Sequence, residues 1–422
     1  MDKLNRSLNL PLLVFYGTGM ILGAGIYSII GKAAATAQDT LWIGFILAAI
    51  AAFFTALSYA ELATLFPKTG AEYIYLKNAL PKFKWISIST GLLMAFSGAA
   101  TAATVAVAFS GYLNSFMPIP LAAVSIGILI LFSIVNIIGI QQSSWINAIF
   151  TIIEIVGLII FIYLGWQSPE FGKVLSAKPN MGTLASSALI IFAYFGFENI
   201  VSLVEETKKP ETNVPRAIII SLSVATLLYI LVAFAALALM SPDELASSNA
   251  VLTDAAKQSS PKTASVLGAI ALFATANTAL IALVTTSRIL YGMAVDRALP
   301  ALLAKVLPKS KTPWVAALVV LGAALILVPL GEVEVLAGVS SLATMISFIA
   351  INLALIFLRY SHPNSKRPFK VPLSIRTMPI LPLLGIIICL VFLFQFEQIV
   401  YQVGIPVLIV VLIVGFLMRK AV

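Results

Sequence analysis

The sequence predicts an all-α polytopic membrane protein of about twelve transmembrane helices, a 5+5 inverted repeat with two C-terminal helices appended. Three observations predict it. Of 422 residues, 60% are hydrophobic and 10% charged, against roughly 25% charged in soluble domains. Apolar runs of about 20 residues, enough to cross a bilayer, recur along the chain. Finally, threading those runs through a membrane with the N-terminus inside puts 21 of the 26 Lys and Arg on one side, the asymmetry expected of cytoplasmic loops. The net charge of +9 is therefore a topology signal. It does not point to nucleic acid, and both termini are expected in the cytoplasm of a protein integral to the cell membrane.

Taken in order, the spans fall near 10–31, 41–66, 85–116, 120–139, 145–166, 183–204, 215–240, 263–291, 313–330, 335–358, 378–396 and 399–418. The first imitates a signal peptide, with Lys3 and Arg6 ahead of an apolar run and Ala35-Thr36-Ala37 behind it. Its length exceeds a typical h-region of about 7–15 residues and further spans follow, so it reads as a retained helix. One cysteine, Cys389, and one histidine, His362, exclude disulfide frameworks and Cys/His metal sites. No metal and no cofactor is expected. Nothing in the composition specifies an oligomeric state.

Two long polar connections, 67–84 and 241–262, lie five spans apart and on opposite sides of the predicted membrane. The same shift maps the first span onto the sixth, and both carry glycine in mid-membrane. The expected division is 1–167 for the first repeat, 168–359 for the second and 360–422 for the two accessory helices. The first and sixth spans are the expected broken helices.

Gly17, Gly19, Gly23 and Gly25 interrupt the first span. Glycine costs a helix interior about 1 kcal/mol relative to alanine, so four of them need a reason. A dinucleotide fingerprint fails, because no strand precedes the run and no βαβ unit encloses it. Close helix packing explains Gly19 and Gly23 as a small-xxx-small face. Gly25 exceeds that need and favours an unwound segment whose N–H groups face an anion. In the sixth span, Phe192-Ala193-Tyr194-Phe195-Gly196-Phe197-Glu198 repeats the pattern.

Only three of the 17 acidic residues, Glu61, Glu154 and Glu198, fall inside predicted spans. Intramembrane carboxyls are functional candidates by default. Glu154 has apolar sequence neighbours and no predicted basic partner, which suits a proton carrier; the alternative is a permanently neutral, hydrogen-bonded carboxyl. Glu61, near a helix end, is expected to pair with a loop lysine. Glu198, just past the glycine break, is expected to hold the half-helix. Both read as gating or structural groups.

These residues resemble the amino acid-polyamine-organocation transporter superfamily over nearly the whole chain. Gly19-Met20-Ile21-Leu22-Gly23-Ala24-Gly25-Ile26-Tyr27 is similar to its first-helix signature. Ser58-Tyr59-Ala60-Glu61-Leu62 with Phe66-Pro67-Lys68-Thr69-Gly70-Ala71-Glu72-Tyr73 resembles the end of its second helix and the loop beyond. The segment 192–198 with Glu205-Glu206-Thr207-Lys208-Lys209-Pro210 resembles helix six and its trailing loop, and Ser287-Arg288-Ile289-Leu290-Tyr291-Gly292-Met293-Ala294 the end of helix eight.

The resemblance implies a secondary active amino acid transporter working by alternating access, either proton-coupled symport or exchange, and no enzyme activity. It implies that N–H groups of Gly23, Ala24 and Gly25 hold the substrate carboxylate. Carbonyls of Ile21, Phe192, Ala193 and Phe195 would hold its ammonium. Some relatives carry a lysine on helix five where this chain has Glu154, so a lysine mechanism does not transfer; a proton at Glu154, or a cation site completed by helix-eight hydroxyls such as Thr275 or Thr278, stays open. Small neutral amino acids are the expected substrates, because neither the segment 97–101 nor Ser340-Ser341 offers a carboxylate to a cationic side chain. A polyamine or organic-cation carrier, or a membrane sensor that binds without flux, are the alternatives.

Overall fold

The computed structural model of the chain describes residues 8–419 except 69, 115, 139–142, 177, 249, 259, 309 and 311. Lys3, Arg6, Thr69, Lys309, Lys311 and Lys420, used above for motif or charge bias, lie outside the described residues. In chain order the helices are α1 (Leu10–Ala37), α2 (Leu41–Leu65), α3 (Ala71–Ala79), α4 (Lys84–Asn114), α5 (Leu121–Ile138) and α6 (Ser143–Trp166). The second half contains α7 (Met181–Ile190), α8 (Phe197–Ile200), α9 (Pro210–Leu239), α10 (Pro242–Ser247), α11 (Val251–Lys257), α12 (Pro261–Val295), α13 (Trp314–Leu327) and α14 (Val333–Ser361). Two further helices close the chain, α15 (Ile380–Leu393) and α16 (Gln398–Met418). A two-residue antiparallel strand pair, Ser374–Ile375 with Met378–Pro379, precedes α15.

Among the described residues, nine helical stretches are long and apolar enough to cross a membrane. The shorter apolar helices α5, α13 and α15 occupy the remaining expected positions. The two long connections carry short helices at corresponding places, α3 after α2 and the pair α10 and α11 after α9.

Helix starts follow local chemistry. Asn9 caps α1 by accepting the Leu12 N–H at 3.1 Å, with Pro11 in the first turn. Asn180 with Thr183, and Ser241 with Glu244, make reciprocal capping boxes, each satisfying N–H groups that the first helical turn leaves open.

One group of helices, α1, α2, α7 and α9, packs together, and a second is built on α4 against α12, α14 and α5. The last pair attaches at the side, α15 on α14 and α2, and α16 on α4 and α14. Without water in hydrocarbon, buried hydroxyls need protein partners. Tyrosines supply cross-helix ties on this basis: Tyr112 donates to the Tyr27 carbonyl at 3.0 Å and Tyr194 to the Phe45 carbonyl at 2.9 Å.

The sixth span is interrupted as expected. A 3-10 turn at Ile191–Tyr194 ends α7, Phe195 is extended, and Gly196 takes φ +127° before α8 begins. That φ is open to glycine and strained for other residues. The first span differs from expectation: α1 runs as one helix from Leu10 to Ala37, with no break at its glycines. The reason lies in packing. A Cβ at Gly19 would come 3.1 Å from Asn147 Oδ1, one at Gly23 2.7 Å from the Ala274 carbonyl, and one at Gly25 2.6 Å from the Ala193 carbonyl. Each glycine admits a different neighbouring helix, so the run lets three helices close on α1 while its own hydrogen bonding continues.

Candidate functional site

Where the interrupted sixth span crosses α1, the two backbones approach closely. Gly25 lies against the backbone of Ala193, and a Cβ at Gly196 would come 3.0 Å from the Ile21 nitrogen. Ile21 and Gly25 are thus brought to the segment carrying Phe192, Ala193 and Phe195, whereas Gly23 faces the Ala274 carbonyl of α12; Ala24 lies between the two glycines on α1. The hydroxyl of Tyr229, from α9, bonds the Ala193 carbonyl at 2.9 Å and also the Ile21 carbonyl. Two of the four carbonyls expected to receive an ammonium are therefore joined by a phenol in this state.

A small cavity of about 40 Å³ opens beside the crossing, the space of a few water molecules. Its wall combines Phe192, Phe195 and Glu198 of the interrupted span with Met20 of α1, Ser97 of α4 and Thr286 of α12. Gly98 lets α4 approach Thr286 directly. Behind Ser97 the hydroxyls interlock: Ser97 bonds Ser340 at 2.9 Å and also Thr344, and Thr101 bonds Ser340 at 2.9 Å. This dry polar seam joins α4 to α14 along the cavity edge.

Glu198 faces the break. Its Oε2 accepts the Gly196 N–H at 2.9 Å and its Oε1 the Asn199 amide at 3.2 Å, so the carboxyl satisfies an N–H that the interruption leaves without a helical partner. At the far end of the same span, Leu8 and residues 206–208 exchange backbone bonds of 3.1 and 2.8 Å, which ties the start of the first span to the end of the sixth.

Glu154 sits on α6, fully buried, and among the described residues neither carboxyl oxygen has a hydrogen-bond partner. The Tyr27 hydroxyl, which also lacks one, and the Asn277 amide are its polar neighbours. Asn277 in turn donates to Asn147 at 3.0 Å, and Thr151 on α6 donates to the Phe15 carbonyl of α1 at 3.1 Å. The polar patch therefore lies between α1, α6 and α12, behind the glycine run.

Glu61 lies outside the cavity wall, and its partners are arginines where a loop lysine was expected. Arg359 of α14 grips it at 2.8 and 2.5 Å, Arg367 lies 2.9 Å away, and the Val371 N–H donates at 2.7 Å. Burial holds the Arg367 guanidinium below its usual range, with Arg359 adding to that and Glu61 opposing it. Lysine could not make this contact, because only a guanidinium presents a planar fork to both carboxylate oxygens.

Sequence reasoning missed Tyr229 and Asn277. Tyr229 is set in an ordinary apolar run, Leu227-Leu228-Tyr229-Ile230-Leu231, and nothing local distinguishes it. Asn277 carried a weak signal as a primary amide inside a span.

With that geometry in place, comparison with known proteins is informative. The sequence model of the amino acid permease family matches residues 8–417. The branched-chain amino acid permease BcaP of Bacillus subtilis is 30% identical, the match covering 92% of this chain and 87% of that protein. The methylthioribose transporter of the same organism is 29% identical over 93% of this chain and 89% of its own length. Cationic amino acid transporter 4 of Mus musculus is 30% identical over 86% of this chain and 62% of its own. These names are names of permeases and transporters, not of enzymes.

Proposed function

The chain belongs to the amino acid permease family, and from that premise we propose that it is a secondary active transporter of small neutral amino acids that works by alternating access. The observation that carries the reading is the crossing of α1 with the interrupted sixth span, where backbone carbonyls and a carboxyl-capped break meet a small, mostly apolar cavity. A zwitterion needs acceptors at one end and donors at the other, and interrupted helices supply both without charged side chains.

In this reading the carbonyls of Ile21, Phe192, Ala193 and Phe195 receive the ammonium, which takes over the two acceptors, Ile21 and Ala193, that Tyr229 holds here. The carboxylate is held by N–H groups of Gly23, Ala24 and Gly25. Because α1 is continuous here, that half of the site forms only when α1 opens at those positions, a change that glycine makes inexpensive. The cavity wall favours a small uncharged side chain, since its one carboxyl, Glu198, is engaged by Gly196 and Asn199. Transport is coupled to protons through Glu154, or proceeds as exchange, with both termini cytoplasmic in the cell membrane.

Counterflow of a labelled amino acid panel into proteoliposomes tests the reading. Alanine, valine and leucine are expected to exchange. No flux with any amino acid would leave a binding protein without transport, and equal competition by decarboxylated amines would remove the carboxylate half of the site.

A further inference from the structure

Resting on the transport reading, we propose that Glu72 and Glu198 form a second proton-binding site, in which one proton is shared between the two carboxyls across Tyr59. Tyr59, on α2, is wholly buried; its hydroxyl donates to Glu72 Oε1 at 3.1 Å. Its ring meets Phe197, the residue before Glu198, edge-on at 5.7 Å, and Phe348 of α14 at 5.8 Å. Glu72 is 3% exposed and Glu198 7%. Each lies within electrostatic reach of the other, and Tyr59 within reach of both.

Among the described residues neither carboxyl forms an ion pair. From α3 itself, Tyr75 faces Glu72 with a hydroxyl that has no hydrogen-bond partner, while Tyr73 and Lys77 are engaged by Asp296. The α4 sequence carries no charge beyond Lys84, and α14 none between Glu334 and Arg359, the latter bound to Glu61. Two like charges buried close together repel, which favours the pair holding one proton. Burial lifts Glu72 to about 7, so its proton exchanges in the physiological range.

The consequence links the cavity to α3. While Glu198 is ionised and accepts the Gly196 N–H, Glu72 keeps the proton. When the break rearranges and Glu198 loses that donor, the proton moves to Glu198 and Glu72 becomes the charged member. Glu72 belongs to the connection that the charge bias places in the cytoplasm, so the site connects the wall of the cavity to that side.

The experiment is equilibrium exchange of labelled leucine in proteoliposomes of the full chain, with pH matched on both faces and varied from about 5.5 to about 8.5. Without a gradient no net proton flux drives the exchange, and Glu154→Gln measured in parallel removes any pH dependence that Glu154 itself contributes. Wild-type exchange is expected to change about tenfold across a step near pH 7, and Glu72→Gln to flatten it to within about twofold while keeping the wild-type rate at the acidic end. Glu72→Asp should keep the step. A full step in Glu72→Gln overturns the proposal. Should that variant not fold, Tyr59→Phe is expected to move the midpoint by about one unit, and an unmoved midpoint overturns it equally. If wild type exchanges no amino acid at any pH, the transport reading fails instead. The pH dependence of melting, wild type against Glu72→Gln, then decides the shared proton alone.

Discussion

Tyr229 donates a hydrogen bond to the carbonyl of Ala193 at 2.9 Å, and the same phenol bonds the Ile21 carbonyl on the other side of the helix crossing. One hydroxyl therefore holds α1, α9 and the interrupted sixth span together. Tyr229→Phe keeps the ring and removes the donor; the Ile21 carbonyl retains its place in the continuous α1, while the Ala193 carbonyl at the interruption loses this partner. An unsatisfied buried acceptor costs about 1–3 kcal/mol, so the empty variant is expected to melt earlier than wild type. Saturating alanine should restore part of the difference, since an ammonium would occupy the same carbonyls. Equal destabilisation with and without amino acid would remove Tyr229 from the site.

The glycines of α1 are predicted to differ in tolerance according to what each faces. At Gly25 an added Cβ meets the Ala193 backbone, with its carbonyl at 2.6 Å, and at Gly23 the Ala274 carbonyl at 2.7 Å. At Gly17 it meets the side chains of Ile200 and Ser221, the latter at 2.7 Å, and side chains can rotate away. Gly17→Ala should cost about 1–3 kcal/mol, the range for overpacking that neighbours can relieve. Gly25→Val should abolish amino acid binding, measured by thermal shift. Normal affinity in Gly25→Val would place the substrate elsewhere.

These contrasts show what the sequence could and could not convey. Span positions, capping residues and the break at Gly196 are local properties, fixed by apolar run length, by side chains such as Asn180 and by the positive φ that glycine permits. The continuity of α1 is a tertiary outcome. The same glycine pattern suits either unwinding or close approach, and the side chains packed on Gly19 and the backbones packed on Gly23 and Gly25 decide between them. The arginine partners of Glu61 were equally out of reach, because Arg359 is 298 residues distant in sequence and the folding-back of the 362–373 segment has no local signature.

Glu61 stands between two guanidiniums in a buried cluster, 0% exposed itself, with Arg359 at 4% by side chain. Removing its charge leaves both cations unbalanced, and breaking a buried pair this way costs about 3–5 kcal/mol. Glu61→Gln should therefore lower the melting temperature severely. Arg367→Gln should be milder, because the two-pronged contact between Arg359 and Glu61 survives as a neutral pair. The opposite ranking in a thermal unfolding series would show that Arg367 carries the cluster.

Glu72 gives a pH signature with a definite sign. Its folded value of about 7 lies above the ordinary 4.5, burial being the main cause. A carboxyl raised by folding contributes stability that is complete below the ordinary value and is lost as pH climbs through the folded one. The window is thus about pH 4.5 to about 7, and the full span corresponds to roughly 3 kcal/mol. Glu72→Gln stays neutral at every pH. Its melting temperature should lose less than wild type's between those limits and exceed it at about pH 8. Parallel profiles would show that Glu72 is not titrating there.

Glu154 provides the sharpest separation between coupling and binding. Both its oxygens are buried without hydrogen-bond partners among the described residues, near Tyr27 and Asn277. An ionised carboxylate in that position would be unsupported, and isolated charge in an apolar medium is the most costly arrangement available to a side chain. The group is therefore expected to be neutral in this arrangement and to release its proton only when water reaches the patch between α1, α6 and α12. Movement of α1 during alternating access would admit that water, because Thr151 ties α6 to the Phe15 carbonyl of α1 at 3.1 Å and Tyr27 rides on α1 itself. Glu154→Gln reproduces the neutral form in shape and cannot release a proton. Amino acid affinity, read by thermal shift, should stay within about threefold, less than 1 kcal/mol. Acceleration of uptake by an inward proton gradient should disappear, and exchange at matched pH should retain its step near pH 7, which belongs to Glu72 and Glu198. Retained acceleration in Glu154→Gln would rule out this residue as the proton carrier and turn the reading toward exchange.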